Sequence, residues 1–177
     1  LIGENGAGKT TLIKMILGML EGEGQFRVLG RDIRQHGAEI RQEVGVVLDE
    51  ACFPACMSAA QLNGVMRDLY THWKEDVFFR LVKQLSLPER KPFKDFSRGM
   101  KMKLAIAAAL SHEAKLLVLD EPTGGLDPIV RDEILGLFYD FTREADHSIL
   151  ISSHIVTDLE KLCDYVAFLH QGKMLFV

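Results

Sequence analysis

The stretch that decides the fold occupies residues 3–11 and reads Gly3-Glu4-Asn5-Gly6-Ala7-Gly8-Lys9-Thr10-Thr11. It fills every position of the phosphate-binding pattern G-x-x-x-x-G-K-[ST]. Its glycines let the backbone curl until successive N–H groups face phosphate oxygens, and the helix that follows adds the positive end of its dipole. In this pattern Lys9 reaches the β and γ phosphates, and the hydroxyl of Thr10 binds Mg²⁺. The stretch predicts a nucleoside triphosphate site, with an ordinary glycine-rich turn as the alternative.

The surroundings of this loop predict a helix and an incomplete chain. Apolar residues at helical spacing continue to Leu20, so we expect a helix that is closed by Gly22. Only Leu1 and Ile2 precede the loop, although a phosphate loop should follow a buried strand. Residues 173–177 have the composition of a strand with nothing after it. We therefore expect an internal piece of a longer protein, truncated at both ends.

Composition is that of a single soluble globular domain. The 177 residues are 47% hydrophobic and 26% charged, with a net charge of −4. No apolar run approaches the length of about 18 residues that a membrane helix needs. The mildly acidic balance gives no electrostatic footprint for nucleic acid, so no nucleic-acid partner is expected. Three cysteines are too few and too irregular for a disulfide framework, and a reducing cytosol is the simplest location.

Short runs rich in Val, Ile and Leu alternate with helical patterns along the chain, which is the order of an α/β protein with a mostly parallel sheet. The runs at residues 44–48, 116–119 and 149–151 are continuous rather than alternating. Such runs are typical of strands that are buried on both faces. We expect a P-loop NTPase core around a mostly parallel sheet.

Between the first two of these strands the pattern changes to a helical one. Apolar residues recur at positions i, i+3, i+4 and i+7 from Leu62 to Leu85. We therefore divide the single domain 1–177 into a P-loop core, residues 1–51 and 113–177, and a helical insert subdomain, residues 52–112.

Two adjacent carboxylates, Asp120 and Glu121, follow the apolar strand 116–119. A phosphoryl-transfer site needs a carboxylate near Mg²⁺, and a hydrolase also needs a base that orients and deprotonates water. Asp120 and Glu121 could divide these two tasks. The alternative is a polar strand end that faces solvent, but the phosphate loop in the same chain favours the functional interpretation.

Two further polar residues follow strands or loops at positions of interest. His154 comes after the third apolar strand, at the sheet edge predicted for the carboxylates and the loop, where it could sense the γ phosphate. A structural or exposed histidine is the alternative. Asp127 precedes Pro128 and a predicted helix, so it could simply be the helix N-cap.

Together these residues resemble the nucleotide-binding domain of ATP-binding cassette (ABC) proteins, over essentially the whole chain. Residues 96–100, Phe-Ser-Arg-Gly-Met, resemble the signature sequence of that family. Gly124-Gly125-Leu126-Asp127 resembles its D-loop, and His154 its switch histidine. The five motifs occur in the family order, with a helical insert between the loop and the carboxylates.

The resemblance implies an ATP sandwich, in which two domains pair head to tail and each nucleotide lies between one phosphate loop and the other domain's signature. It implies ATP and Mg²⁺ as cofactors. Glu121 would be the general base, Asp120 would support Mg²⁺, His154 would contact the γ phosphate, and Asp127 would link the two sites. The signature residues acting from the partner domain would be Ser97, Arg98, Gly99 and Met100.

The function implied is that of a transport-coupled ATPase subunit, which pairs with a second nucleotide-binding domain and with a separate integral membrane permease. It would be cytoplasmic and peripheral on the inner face of the cell membrane. Residues 98–104 and 151–154 resemble bacterial antibiotic or peptide exporter ATPases. Two alternatives remain: a soluble ABC ATPase that acts on ribosomes or DNA, and a degenerate cassette with a regulatory role.

The chain departs from the family pattern at three positions. Asp49-Glu50 stands where the family usually has a glutamine that approaches Mg²⁺. Asp49 could still meet the metal, but it adds negative charge near the phosphates. Arg98 and Met100 stand in the signature where the family more often has glycine and glutamine.

Overall fold

A computed structural model gives the fold and describes residues 1–49 and 53–176. Glu50 and the predicted boundary between residues 51 and 52 lie outside the described residues. The helices are α1 (Lys9–Ile16), α2 (Ile33–Gln42), α3 (Ala59–Leu69), α4 (Glu75–Gln84), α5 (Arg98–Ala109), α6 (Pro128–Phe141) and α7 (Val156–Leu162), with a 3₁₀ turn at Phe93–Asp95. The strands are β1 (Arg27–Val28), β2 (Arg31–Asp32), β3 (Val44–Val47), β4 (Leu116–Asp120), β5 (Ser148–Ser152), β6 (Phe168–His170) and β7 (Lys173–Phe176).

Three of these strands form a parallel sheet in the order β3-β4-β5, as the continuous apolar runs predict. Residues 1 and 2 continue the sheet, because Ser153 N–H donates to Leu1 O at 3.2 Å and Leu169 N–H donates to Ile2 O at 2.8 Å. The segment before the phosphate loop therefore lies between the end of β5 and β6. The predicted α/β class with a parallel sheet is confirmed.

Both faces of the sheet are covered by helices. Leu117 and Leu119 of β4 point into a core that includes Ile106 of α5 and Phe138 of α6. Val118, between them, packs on the opposite face in a core formed largely by α1 and α2. Successive strand side chains alternate between faces, so a strand buried on both needs an unbroken apolar run.

Helices α3, α4 and α5 surround a separate core that includes Phe78, Val82 and Leu104. Helix α3 begins at a capping box, in which Ser58 and Gln61 satisfy each other's backbone N–H groups. These helices occupy the region assigned to the helical insert, whose exact limits stay a prediction. Among the described residues, no helix has the length and apolar character needed to cross a bilayer.

Helix α5 lies directly against β3, and Gly45 permits this close approach. A Cβ atom at Gly45 would lie 2.6 Å from Ala109 O and 2.6 Å from Leu117 Cδ2. Real side chains do not tolerate such distances, so only glycine fits here. The contact ties the end of α5 to the sheet.

The end of α1 differs from the prediction. The helix stops at Ile16, and Gly18 follows in the left-handed conformation with φ +68°. Glycine adopts this conformation without strain and closes helices at this position. Gly18, not Gly22, is therefore the helix stop, and Leu20 lies beyond the helix with its side chain exposed. The apolar spacing continues past Gly18 to Leu20, so it predicts a helix end that lies too far along the chain.

Candidate functional site

The phosphate loop adopts the curled backbone that its glycines predict. Gly6 and Gly8 have φ values of +83° and +103°, which L side chains rarely adopt. Gly3 is required for a different reason, because a Cβ there would lie 2.4 Å from Leu169 O of β6. The loop is thus shaped by two left-handed residues and one close backbone contact.

Lys9 is the first residue of α1, and its ammonium lies over the loop. The side chain is 6% exposed, and Nζ donates to Gly3 O at 2.7 Å and to Glu4 O at 3.2 Å. The loop residues, Asp49 and Glu121 line a cavity of about 400 Å³. A buried ammonium and the first turn of a helix beside this cavity suit an anion.

Asp120 ends β4 and is fully buried. Its Oδ2 accepts a hydrogen bond from Thr10 Oγ1 at 2.7 Å, and its Oδ1 accepts one from Ser152 Oγ at 2.5 Å. Two of the three predicted metal-site residues, Thr10 and Asp120, are therefore in contact, whereas Asp49 pairs with Arg98. Hydroxyl and carboxylate oxygens are the hard ligands that Mg²⁺ prefers, so Thr10 and Asp120 fit the ion. Within the described part of the chain, no cluster of three or more His, Cys, Asp or Glu side chains could hold a metal.

Glu121 follows directly and has a strained backbone, with φ +49°. Such non-glycine residues are uncommon and concentrate at functional sites. Glu121 Oε2 lies 2.7 Å from His154 Nδ1, and Oε1 lies 3.7 Å from Lys9 Nζ. The structure thus brings together the predicted base, the predicted γ-phosphate sensor and the loop lysine.

Ser97, Gly99, Met100 and Asp127 line a second cavity, of about 310 Å³. Ser97 caps α5, and its Oγ accepts from Met100 N–H at 3.3 Å. Asp127 caps α6, with Oδ1 accepting from Val130 N–H at 3.1 Å and proline at the first helical position. Asp127 is therefore the N-cap of α6, and its role in linking the two sites stays a prediction. The residues lining this cavity are different from those lining the cavity of the phosphate loop.

Arg98 turns toward the other cavity. Its guanidinium lies 2.6 Å from Asp49 Oδ1, and both side chains are largely exposed. Two of the departures from the family pattern therefore form an ion pair with each other. The pair connects the rim of the phosphate cavity to the start of α5.

Two buried polar residues near the site, Ser152 and Asp158, were not predicted as functional residues from the sequence. Ser152 supports Asp120, and Asp158 accepts from Thr123 Oγ1 at 2.7 Å and from Arg131 Nε at 2.6 Å. The partners of Asp158 are 35 and 27 residues away in the chain. No local pattern signals such contacts.

Comparison with known proteins gives a consistent result. The family model described as "ABC transporter" matches residues 1–124. The bacitracin transport ATP-binding protein BcrA of Bacillus licheniformis is 36% identical over 177 residues, which is 98% of this chain and 58% of that protein. The lantibiotic transport ATP-binding protein SrtF of Streptococcus pyogenes is 34% identical over 99% of this chain and 76% of its own length. The chain thus spans less than two thirds of the bacitracin relative.

Solved structures show the same fold. An ATP binding subunit of an ABC transporter superposes with a TM-score of 0.84 at 27% identity, covering 98% of this chain and 75% of that chain. The ATP-binding cassette MJ0796, solved as a dimer in a post-hydrolysis state with ADP and Pi, gives a TM-score of 0.87 at 18% identity. It covers 99% of this chain and 82% of that chain, and it supports the fold alone.

Proposed function

This chain belongs to the ABC transporter family of ATP-binding domains, and from that premise we propose that it binds and hydrolyses ATP to energise export through a separate membrane permease. The observation that carries the proposal is that Glu121, which lines the cavity of the phosphate loop with Lys9, contacts both Lys9 and His154. An anion-binding loop beside a carboxylate and an imidazole suits hydrolysis of the phosphoanhydride bond of ATP, in which the nucleotide is held and water is activated.

Binding rests on the loop and on the start of α1. Gly6 and Gly8 shape the loop, and Lys9 supplies a buried positive charge. In our proposal Lys9 gives up its contacts with the carbonyls of Gly3 and Glu4 and turns to the β and γ phosphates. Thr10 and Asp120 would hold Mg²⁺, which would neutralise charge on the phosphate oxygens.

Hydrolysis rests on Glu121 and His154. The Glu121 carboxylate would orient the attacking water and accept its proton, while the ring of His154 fixes that carboxylate at 2.7 Å. His154 would also contact the γ phosphate. A degenerate cassette with a regulatory role would bind ATP without hydrolysing it. Measuring ATP turnover therefore tests that alternative directly.

The complete site would need a second domain. The signature residues Ser97 and Gly99 line a cavity whose lining differs from that of the phosphate loop. We propose that they act on the nucleotide of a partner domain, at the N-terminus of α5 where anions bind favourably. Arg98 and Met100 would lie in the same contact, and Asp127 would link the two sites.

The names of two relatives support a substrate class. BcrA is named for bacitracin transport and SrtF for lantibiotic transport. We propose that this chain energises export of an antibiotic or peptide, as the peripheral subunit on the cytoplasmic face of the membrane.

The test is affinity purification of the full-length Glu121→Gln protein from detergent-solubilised membranes in the presence of Mg-ATP. Glutamine keeps the shape of the side chain and removes the base, so the ATP-bound assembly should persist. We expect a multi-span membrane protein to co-elute. Recovery of only ribosomes, nucleic acid or soluble partners would reject the transporter function and favour the soluble alternative.

The matched control is Glu113→Gln, the same change at the exposed Glu113–Lys74 ion pair away from both cavities. This variant should hydrolyse ATP at the wild-type rate, whereas Glu121→Gln should lose at least about 10²-fold in turnover and keep its ATP affinity. Equal turnover in the two variants would remove Glu121 from the chemistry.

A further inference from the structure

Asp158 is a buried acidic side chain that the proposed chemistry leaves unused. It lies in the first turn of α7 and is 1% exposed. Its two carboxylate oxygens have different partners, Thr123 Oγ1 at 2.7 Å and Arg131 Nε at 2.6 Å. The guanidinium of Arg131 makes a second contact with the same carboxylate and also donates to Thr157 Oγ1 at 2.9 Å. We call Asp158, Thr123 and Arg131 the Asp158 cluster.

The two partners stand at the two ends of one loop. Thr123 immediately precedes residues 124–127, and Arg131 lies in the first turn of α6, which Asp127 caps. Both ends of the loop are therefore held by a single carboxylate. Gly125 within it has φ +69°, a left-handed conformation that glycine adopts without strain.

The Asp158 cluster is close in sequence to both residues of the proposed chemistry. Thr123 is two residues after Glu121, and Asp158 is four residues after His154. Glu121 has the strained backbone, and its carbonyl accepts from Gly124 N–H at 3.0 Å. A strained residue keeps its conformation only where its surroundings determine it.

We propose that Asp158 is a positioning residue for ATP hydrolysis, which holds the loop 124–127 at both ends and thereby fixes Glu121 against His154. The inference rests on the proposed function. The Asp158 carboxylate is buried and Arg131 is half-buried, so desolvation offsets part of their attraction, and fixed geometry is a benefit of the Asp158 cluster beyond stability.

The experiment compares Asp158→Asn with Asp132→Asn in the full-length protein. Asp132 and Lys161 also join α6 to α7, with Oδ1 and Nζ 3.4 Å apart, but that pair is exposed. The two variants make the same chemical change between the same two helices and differ in burial and in contact with the loop. Asp132→Asn should therefore match the wild type.

Two readouts separate positioning from folding. Asp158→Asn should lower kcat by about 10- to 100-fold and leave the Kd for ATP within about twofold, because misplacement by about 1 Å affects the chemical step more than binding. Amide hydrogen exchange should become faster across residues 121–127 and stay unchanged in β3 and β4. Thr123→Val replaces the hydroxyl with a methyl group of similar size and should give the same pattern. This variant tests the inference if Asp158→Asn does not fold.

The inference is overturned if folded Asp158→Asn or Thr123→Val keeps wild-type turnover and wild-type exchange. It is also overturned if ATP affinity and turnover fall together with the melting temperature, which would indicate a structural role. A wild type that binds ATP without turnover would reject the proposed function. Hydrogen exchange can still be measured in that protein, because the measurement needs no hydrolysis. In that case, faster exchange across residues 121–127 would still show that Asp158 holds the loop 124–127, and unchanged exchange would overturn that part of the inference as well.

Discussion

Replacing Gly45 with alanine should destabilise the fold, because the added methyl group meets two groups that cannot move away cheaply. Its Cβ would lie 2.6 Å from the backbone oxygen of Ala109 and 2.6 Å from the buried side chain of Leu117. Overpacking a core costs about 1–3 kcal/mol, and a clash with backbone places Gly45→Ala near 3 kcal/mol. At roughly 2–4 °C per kcal/mol for a domain of this size, Tm should fall by about 6–12 °C.

Gly64→Ala is the matched control, since it makes the same chemical change inside α3. No heavy atom lies within 4 Å of a Cβ at Gly64. Alanine in a helix interior is favoured over glycine by about 0.5–1 kcal/mol, so Tm should rise by about 1–4 °C.

Thermal unfolding of the full-length variants, followed by calorimetry, measures both shifts. A Tm for Gly45→Ala within about 2 °C of the wild type would refute the close approach of α5 to β3. So would equal shifts in the two variants. A confirmed loss would show that Gly45 sets the distance between the sheet and the helix that begins at the signature.

His154→Ala should lower ATP turnover by roughly 10²-fold or more with ATP affinity within about threefold, because it removes the group 2.7 Å from Glu121 Oε2; steady-state kinetics would contradict this if turnover were unchanged. Burial lowers the pKa of His112, so the unfolded chain binds that proton more readily, and the free energy of unfolding should fall as the pH drops below about 6.5. Urea unfolding at pH values around 6.5 should show a weaker pH dependence of the unfolding free energy for His112→Phe than for the wild type. The same pH dependence in both proteins would contradict the role of His112. A double-mutant cycle on Asp49→Ala and Arg98→Ala should give a coupling of about 0.2–1 kcal/mol that weakens with salt, as exposed ion pairs do. Additive unfolding energies would exclude the pair.

The parallel sheet was predictable because its signal is local. A strand buried on both faces must be apolar at every position, and residues 116–119 carry that pattern in the sequence itself. The phosphate loop was predictable for a similar reason, since its glycines and Lys9 act through their own backbone and neighbours. The apolar spacing beyond Ile16, by contrast, extended α1 too far, because one left-handed glycine outweighs helical periodicity.

Contacts between distant segments could not be read from the sequence. Asp120 and Glu121 were identified by their place after a strand, but their partners Ser152 and His154 lie on the next strand and after it. The parallel order of β4 and β5 made the meeting of Glu121 and His154 plausible. Nothing in the sequence indicated that Asp158 would hold Thr123, because the geometry of α7 decides that contact.

The ion pair between Asp49 and Arg98 has a consequence for how this chain can evolve. The two positions are 49 residues apart, yet among the described residues each is the salt-bridge partner of the other, beside the phosphate cavity. A lineage that replaces Arg98 first would leave a bare carboxylate near the phosphates, and one that replaces Asp49 first would leave a bare cation at the signature. Descendants of this chain should therefore tolerate a paired exchange better than either single one, by the small margin that an exposed ion pair supplies.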